Sequence, residues 1–152
     1  MFAIRVQAVF SAAHALVIGG VREPLHGHDW HVTATLVGTT LDADGLLWDF
    51  HALEADLREL IAPFQNQNLN ETRTFGERNP SAEAVAQNIG EGLTELLRTR
   101  LARYPKSEWS QGLRIERVEV TEAPGCVAEW RARAPTDPAA HGDPAAPKST
   151  AR

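Results

Sequence analysis

The chain has 152 residues, 43% of them hydrophobic, and a formal charge of −5, which fits one domain with its own core. The acidic balance, with a pI of about 5.6, leaves no basic footprint for nucleic acid. A single cysteine, Cys126, excludes an internal disulfide framework, and no apolar run suggests a signal peptide or a membrane span, so a soluble, cytoplasmic protein in a reducing compartment is expected.

Phe2 to Phe10 alternates, with Phe2, Ile4, Val6 and Ala8 on one parity and Arg5 and Gln7 on the other. This is the period of a half-buried strand. A loop from Ala15 to Leu25 carries Gly19-Gly20 and Pro24. Trp30 to Val37 reads as a second strand. Trp30, Val32, Ala34 and Leu36 share the parity of His28, while His31, Thr33 and Thr35 take the other. Leu41 to Gly45 is a turn, and Leu46 to Phe50 a short apolar strand end. Leu53, Leu57, Leu60 and Ile61 give a helix over His51–Ile61, which Pro63 ends.

Phe64 to Asn79 is polar, turn-rich and long for a connection. Asn79-Pro80 reads as an N-cap and first helical residue. Val85, Ile89, Leu93, Leu96, Leu97 and Leu101 then face one way on a helix ending near Tyr104-Pro105. Leu113 to Glu122 is a strand with Val118 and Val120 inward. Pro124-Gly125 turns the chain into a hairpin over Cys126–Arg133, where Cys126, Ala128, Trp130 and Ala132 share a face. Cys126 is expected there as a small core residue. Residues 134–152 hold four prolines and no periodicity, and are expected as a disordered tail after a domain spanning 1–133. The order strand-strand-helix-helix-strand-strand predicts an α+β fold: a four-stranded antiparallel sheet with both helices on one face.

The chemistry concentrates between His14 and His31, which holds four of the six histidines. Residues two apart in a strand point to one face, so His26 and His28 can reach one point, and His14 can join them from the preceding strand. Three imidazoles leave a fourth metal position vacant, the arrangement of catalytic zinc sites. Three imidazoles also suit other divalent metals.

Six motifs occur in one order: F-S-A-A-H ending at His14, L-H-G-H-D-W at Leu25–Trp30, and D-G-L-L-W-D-F at Asp44–Phe50. They continue with N-L-N at Asn68–Asn70, N-P-S-A-E at Asn79–Glu83 and V-E-V-T-E at Val118–Glu122. Together they resemble the 6-pyruvoyl-tetrahydropterin synthase and 6-carboxy-tetrahydropterin synthase superfamily over about residues 2 to 132. The resemblance implies the tunnelling fold, in which sheets of several subunits join into a barrel, as trimers or hexamers with sites between subunits. It implies a pterin substrate, usually 7,8-dihydroneopterin triphosphate. His14, His26 and His28 take the zinc-ligand positions. Glu122 takes that of the glutamate that anchors the pterin ring, and Ser81 falls on the substrate side.

Two departures bear on the activity. The family's catalytic cysteine before H-G-H is absent, and Cys126 lies too far along the chain to replace it. R-E-P-L-H-G-H instead resembles a variant branch with glutamate at that place, here Glu23, which cleaves the substrate side chain to 6-hydroxymethyl-7,8-dihydropterin for folate synthesis. The family's Asp-His relay is replaced by Gln65 and Asn66, amides that hydrogen-bond but do not transfer protons near neutral pH. His31 and His51 are poorly placed to substitute, by strand parity and by helix position. Three readings follow: a zinc-dependent carbon–carbon lyase with Glu23 as base, a 6-carboxy-tetrahydropterin synthase of the deazaguanine (queuosine) pathway or a 6-pyruvoyl synthase, and a zinc- and pterin-binding protein without catalysis.

Overall fold

The computed structural model describes residues 1–133; the tail expected over 134–152 lies outside the described residues. Two long strands, β1 (Phe2–His14) and β4 (His26–Gly38), form the centre. Between them a short hairpin, β2 (Val17–Ile18) and β3 (Val21–Arg22), occupies the expected loop. Its turn, Gly19-Gly20, has positive φ at both positions, which glycine adopts without steric cost. Helix α1 (Phe50–Ile61) is followed by a two-residue strand β5 (Gln67–Asn68), then α2 (Ala82–Leu101) and a short α3 (Glu108–Gly112). The chain closes with β6 (Arg114–Ala123) and β7 (Cys126–Arg131).

The main sheet has the order β5-β1-β4-β6-β7. It is therefore five-stranded, because β5 adds in parallel to Ala12 and Ala13 at the end of β1. The other four strands are antiparallel as the sequence suggests. Nothing in the polar run Gln65–Asn70 has strand periodicity, so this edge segment was not legible. The expected strand end at Leu46–Phe50 is instead a loop to Asp49, whose carboxylate caps α1 by accepting from the His51 N–H, and Phe50 is the first residue of that helix. Ser81 rather than Asn79 caps α2, its hydroxyl accepting from the Ala84 N–H. Asn79 is committed elsewhere.

One face of the sheet carries the core. Phe10, Trp30, Val32, Ala34, Leu36, Val118 and Val120 are buried beneath Leu53, Leu57, Val85, Ile89 and Leu93 of the two long helices. Each fully buried Leu, Val or Phe contributes about 1.5–3 kcal/mol. Phe10 and Trp30 stack with centroids 5.8 Å apart, and the Trp30 indole N–H donates to the Ala12 carbonyl. The buried Asp56 of α1 is paired by Arg100 of α2, tying the helices together. Cys126 departs from expectation: it is exposed, at the hairpin end of β7. Ala128 and Trp130 on its parity do pack on the core, so the cover fails only at the strand's first residue. Among the described residues no helix is long and apolar enough to cross a membrane.

Gly90 is where α2 meets Trp130, and a Cβ there would overlap the indole ring. Gly90→Ala gains about 1 kcal/mol of helix propensity but overpacks this contact at about 1–3 kcal/mol. The expected net effect is a lower denaturation midpoint in urea, with an unchanged m-value.

Candidate metal centre

The register of β1 and β4 builds the site. His14 is the Cα partner of His26, and Ala12 that of His28. His14, His26 and His28 thus converge, and Glu122 reaches them from the end of β6. Their candidate ligand atoms all lie within 4.8 Å of one another. His14 is fully buried, while His26 is exposed and His28 half-buried.

The tautomers follow from the carbonyls around the rings. A carbonyl only accepts, so His14 Nδ1 carries the hydrogen that Pro80 O receives at 2.8 Å. Likewise His26 Nδ1 donates to Pro24 O at 2.9 Å. Both Nε2 atoms are then lone-pair donors to a metal, oriented as outer hydrogen bonds orient metal-bound imidazoles. His14 Nε2 stands 2.8 Å and His28 Nε2 3.3 Å from Glu122 Oε1. Neither nitrogen makes a hydrogen bond, although both are buried. A bare imidazole nitrogen and a carboxylate oxygen are both acceptors, and their close approach calls for a cation between them. Burial lowers the His28 pKa, against the pull of Glu122 upward and with His14 and His26 adding to the fall. The metal-ready neutral form is thereby favoured. The donor set fits a divalent transition ion, with the carboxylate or a substrate at the position the imidazoles leave open.

Glu23 lies outside this cluster. Its Oε1 is 3.9 Å from His26 Nδ1, the side of the ring that faces away from the metal-ready nitrogen. The same oxygen accepts from the Leu16 N–H at 2.8 Å. Ser81 is spent on the first turn of α2, where the backbone N–H of Glu83 itself and then the Ser81 hydroxyl hold the Glu83 carboxyl below the usual range. Asn66, Gln67 and Asn68 close one wall of a cleft of about 600 Å³ that runs past His28 and Asp29, and Gln65 accepts from the Ser11 N–H behind it. A second cleft of about 530 Å³ joins His28 and Asp29 to His31 and Glu122. The sequence points to the three histidines as candidate ligands, but it gives Glu122 only as an anchor for the pterin ring and gives no sign of the two proline carbonyls that orient the rings. The signal available was Pro24 two residues before His26; Pro80 is distant in sequence and carried none for His14.

The model of the 6-pyruvoyl tetrahydropterin synthase family matches residues 3–133. The chain belongs to that family of pterin lyases. A protein of Archaeoglobus fulgidus with the provisional name 6-carboxy-5,6,7,8-tetrahydropterin synthase is 27% identical over 128 residues, 84% of this chain and 94% of that one. The 6-pyruvoyl tetrahydropterin synthase of Caenorhabditis elegans superposes with a TM-score of 0.69 at 18% identity, covering 87% of this chain and 96% of that chain. A Plasmodium vivax 6-pyruvoyltetrahydropterin synthase in which a catalytic glutamate is replaced by alanine gives 0.66 at 19%, covering 88% and 98%. These likenesses show the tunnelling fold.

Metal binding has a direct readout. A divalent ion at about a hundred times its Kd is expected to raise unfolding stability by about 2.7 kcal/mol, reversed by EDTA. His14→Ala should remove that increment, because the ring supplies one of the candidate ligand atoms.

Proposed function

We propose that the protein is a zinc-dependent lyase acting on 7,8-dihydroneopterin triphosphate or a related dihydropterin, cleaving C1′–C2′ to give 6-hydroxymethyl-7,8-dihydropterin. The observation that carries this reading is the Glu23 carboxylate. It occupies the segment before His26 where the resemblance places a cysteine, beside a candidate ligand ring, with one oxygen fixed by Leu16 and the other without a hydrogen bond among the described residues. The Plasmodium vivax relative, whose catalytic residue is a glutamate, supports it.

Zinc, held by His14, His26 and His28, would act as a Lewis acid that acidifies a hydroxyl it touches. Glu23 accepts the proton of the C2′ hydroxyl. The C1′–C2′ electron pair passes to C1′ and is delocalised into the C6–N5 imine of the dihydropterin, while C2′ leaves as an aldehyde. Protonation at C1′ gives the hydroxymethyl product. Glu122 accepts paired hydrogen bonds from the pterin ring N–H and amino groups; Ser81 serves the substrate side through the helix end that it caps.

A second reading, a 6-carboxy- or 6-pyruvoyl-type reaction, is favoured by the name of the Archaeoglobus relative, while the absence of the family's cysteine before His26 argues against it. Mass identification of the products from zinc-loaded protein separates the readings. The hydroxymethyl pterin is expected, and Glu23→Gln should lower kcat by at least about a hundredfold with zinc retained. A 6-carboxy or 6-pyruvoyl product would overturn the cleavage reading, and pterin binding without turnover would reduce the protein to a binding homologue.

We also read the chain as a trimer or hexamer with its sites between subunits. Among the described residues no strand pairs with the outer edge of β1 beyond Ala12 and Ala13, and none with that of β7, and such edges invite strand addition. Sedimentation is expected to give three or six times the 16.6 kDa of the chain; a monomer at micromolar concentration would refute the assembly.

A further inference from the structure

The motifs N-L-N and N-P-S-A-E are not absorbed by the metal cluster, yet both end on the segment that faces Glu23. Asn70 Oδ1 accepts from the Ala15 N–H at 2.8 Å, and its Nδ2 donates to the Ala15 carbonyl at 2.8 Å. Asn79 does the same to Val17, accepting at 2.8 Å and donating at 2.9 Å. Each side chain thus pairs with both backbone groups of one residue, as a neighbouring strand does. Between these two clamped residues lies Leu16. Its N–H is held by Glu23 Oε1 at 2.8 Å, and its carbonyl accepts from the Glu23 N–H at 2.9 Å. Three consecutive residues are therefore fixed, and the middle one fixes Glu23.

We infer that Asn70 and Asn79 are positioning residues for Glu23: they hold Ala15–Val17 so that Leu16 orients the carboxylate beside His26. This rests on the reading of Glu23 as the base. The amide is the side chain the task requires. It presents one donor and one acceptor side by side, whereas a carboxylate presents two acceptors and would repel the Val17 carbonyl. The surroundings need the support. Ala15 is fully buried, but Val17, Ile18 and Val21 of the hairpin are exposed, and nothing lies near the Gly19 and Gly20 Cβ positions, so beyond Ala15 packing does little to place the segment. Asn79 also precedes Pro80, whose carbonyl orients His14. One dipeptide accordingly sets both a metal ligand and, through Leu16, the base.

The test combines an activity-independent readout with a double-variant cycle. Amide hydrogen exchange at Leu16 in the zinc-loaded protein is expected to be slow, and to accelerate at least tenfold in Asn79→Asp and in Asn70→Ala. Zinc stoichiometry should stay at the wild-type value. In turnover, Asn79→Asp should lower kcat at least tenfold with KM within twofold. In a Glu23→Gln background the same change should have almost no further effect, since a residue acting through Glu23 has nothing left to position. Fast Leu16 exchange in the wild type, or an Asn79 effect that multiplies fully with Glu23→Gln, overturns the proposal. Protection that is lost as expected, in a protein that turns over no dihydropterin, keeps the clamp and sinks the base role of Glu23 instead.

Discussion

The antiparallel register of β1 against β4 is the constraint on which the rest depends. It places His14 opposite His26 and puts His28 on the same face as the buried Trp30, Val32, Ala34 and Leu36. A slip of one residue would turn every one of these side chains to the other face, losing the core and the metal ligands together. Core and centre are therefore specified by the same alternation. His14 shows the join: it is fully buried, packs edge-on against Trp30 at 4.8 Å, and still presents Nε2 to the cluster.

The cluster is an electrostatic conflict among acceptors until a cation is present. Two carbonyls fix the hydrogens on the outer nitrogens of His14 and His26, so the inner nitrogens and the Glu122 carboxylate confront one another with lone pairs. Desolvation holds down the pKa of His28, which makes protonation a poor way out there. A metal ion would resolve the arrangement: the three imidazoles would hold it, and the Glu122 carboxylate lies close enough to join them or to be left facing the cleft beside His28.

What the sequence made legible was whatever depended on short-range periodicity. The strand parities of Phe2–Phe10 and Trp30–Val37, the apolar faces of both helices and the H-x-H pair all follow from spacing, and the structure places them so. The features that escaped depend on partners distant in the chain. Cys126 has the right parity for the core but begins its strand beyond the helical cover, which periodicity does not encode. Asn79 resembles an N-cap locally, but the backbone of Val17, 62 residues away, takes its side chain. Strand β5 exists because the edge of β1 is available to it, not because Gln67 and Asn68 prefer extended structure.

The amides at Gln65 and Asn66 show how the same logic reaches the chemistry. Asn66 is the one non-glycine residue with positive φ, 58°, among the described residues, a conformation that asparagine tolerates better than most. Its N–H donates to the Ser11 carbonyl at 2.6 Å, and Gln65 Oε1 takes the Ser11 N–H at 3.4 Å. The Ser11 hydroxyl in turn donates to Asp29. Where the family resemblance places a proton relay, this chain has side chains and backbone engaged in closing the turn onto β1. A residue committed in that way gives rigidity to the wall of the cleft rather than a path for protons. Under the proposed reaction, proton acceptance falls to Glu23, which is held by its own short segment of backbone. In this chain the candidate metal centre is a property of the sheet, and the proposed base is a property of the loops.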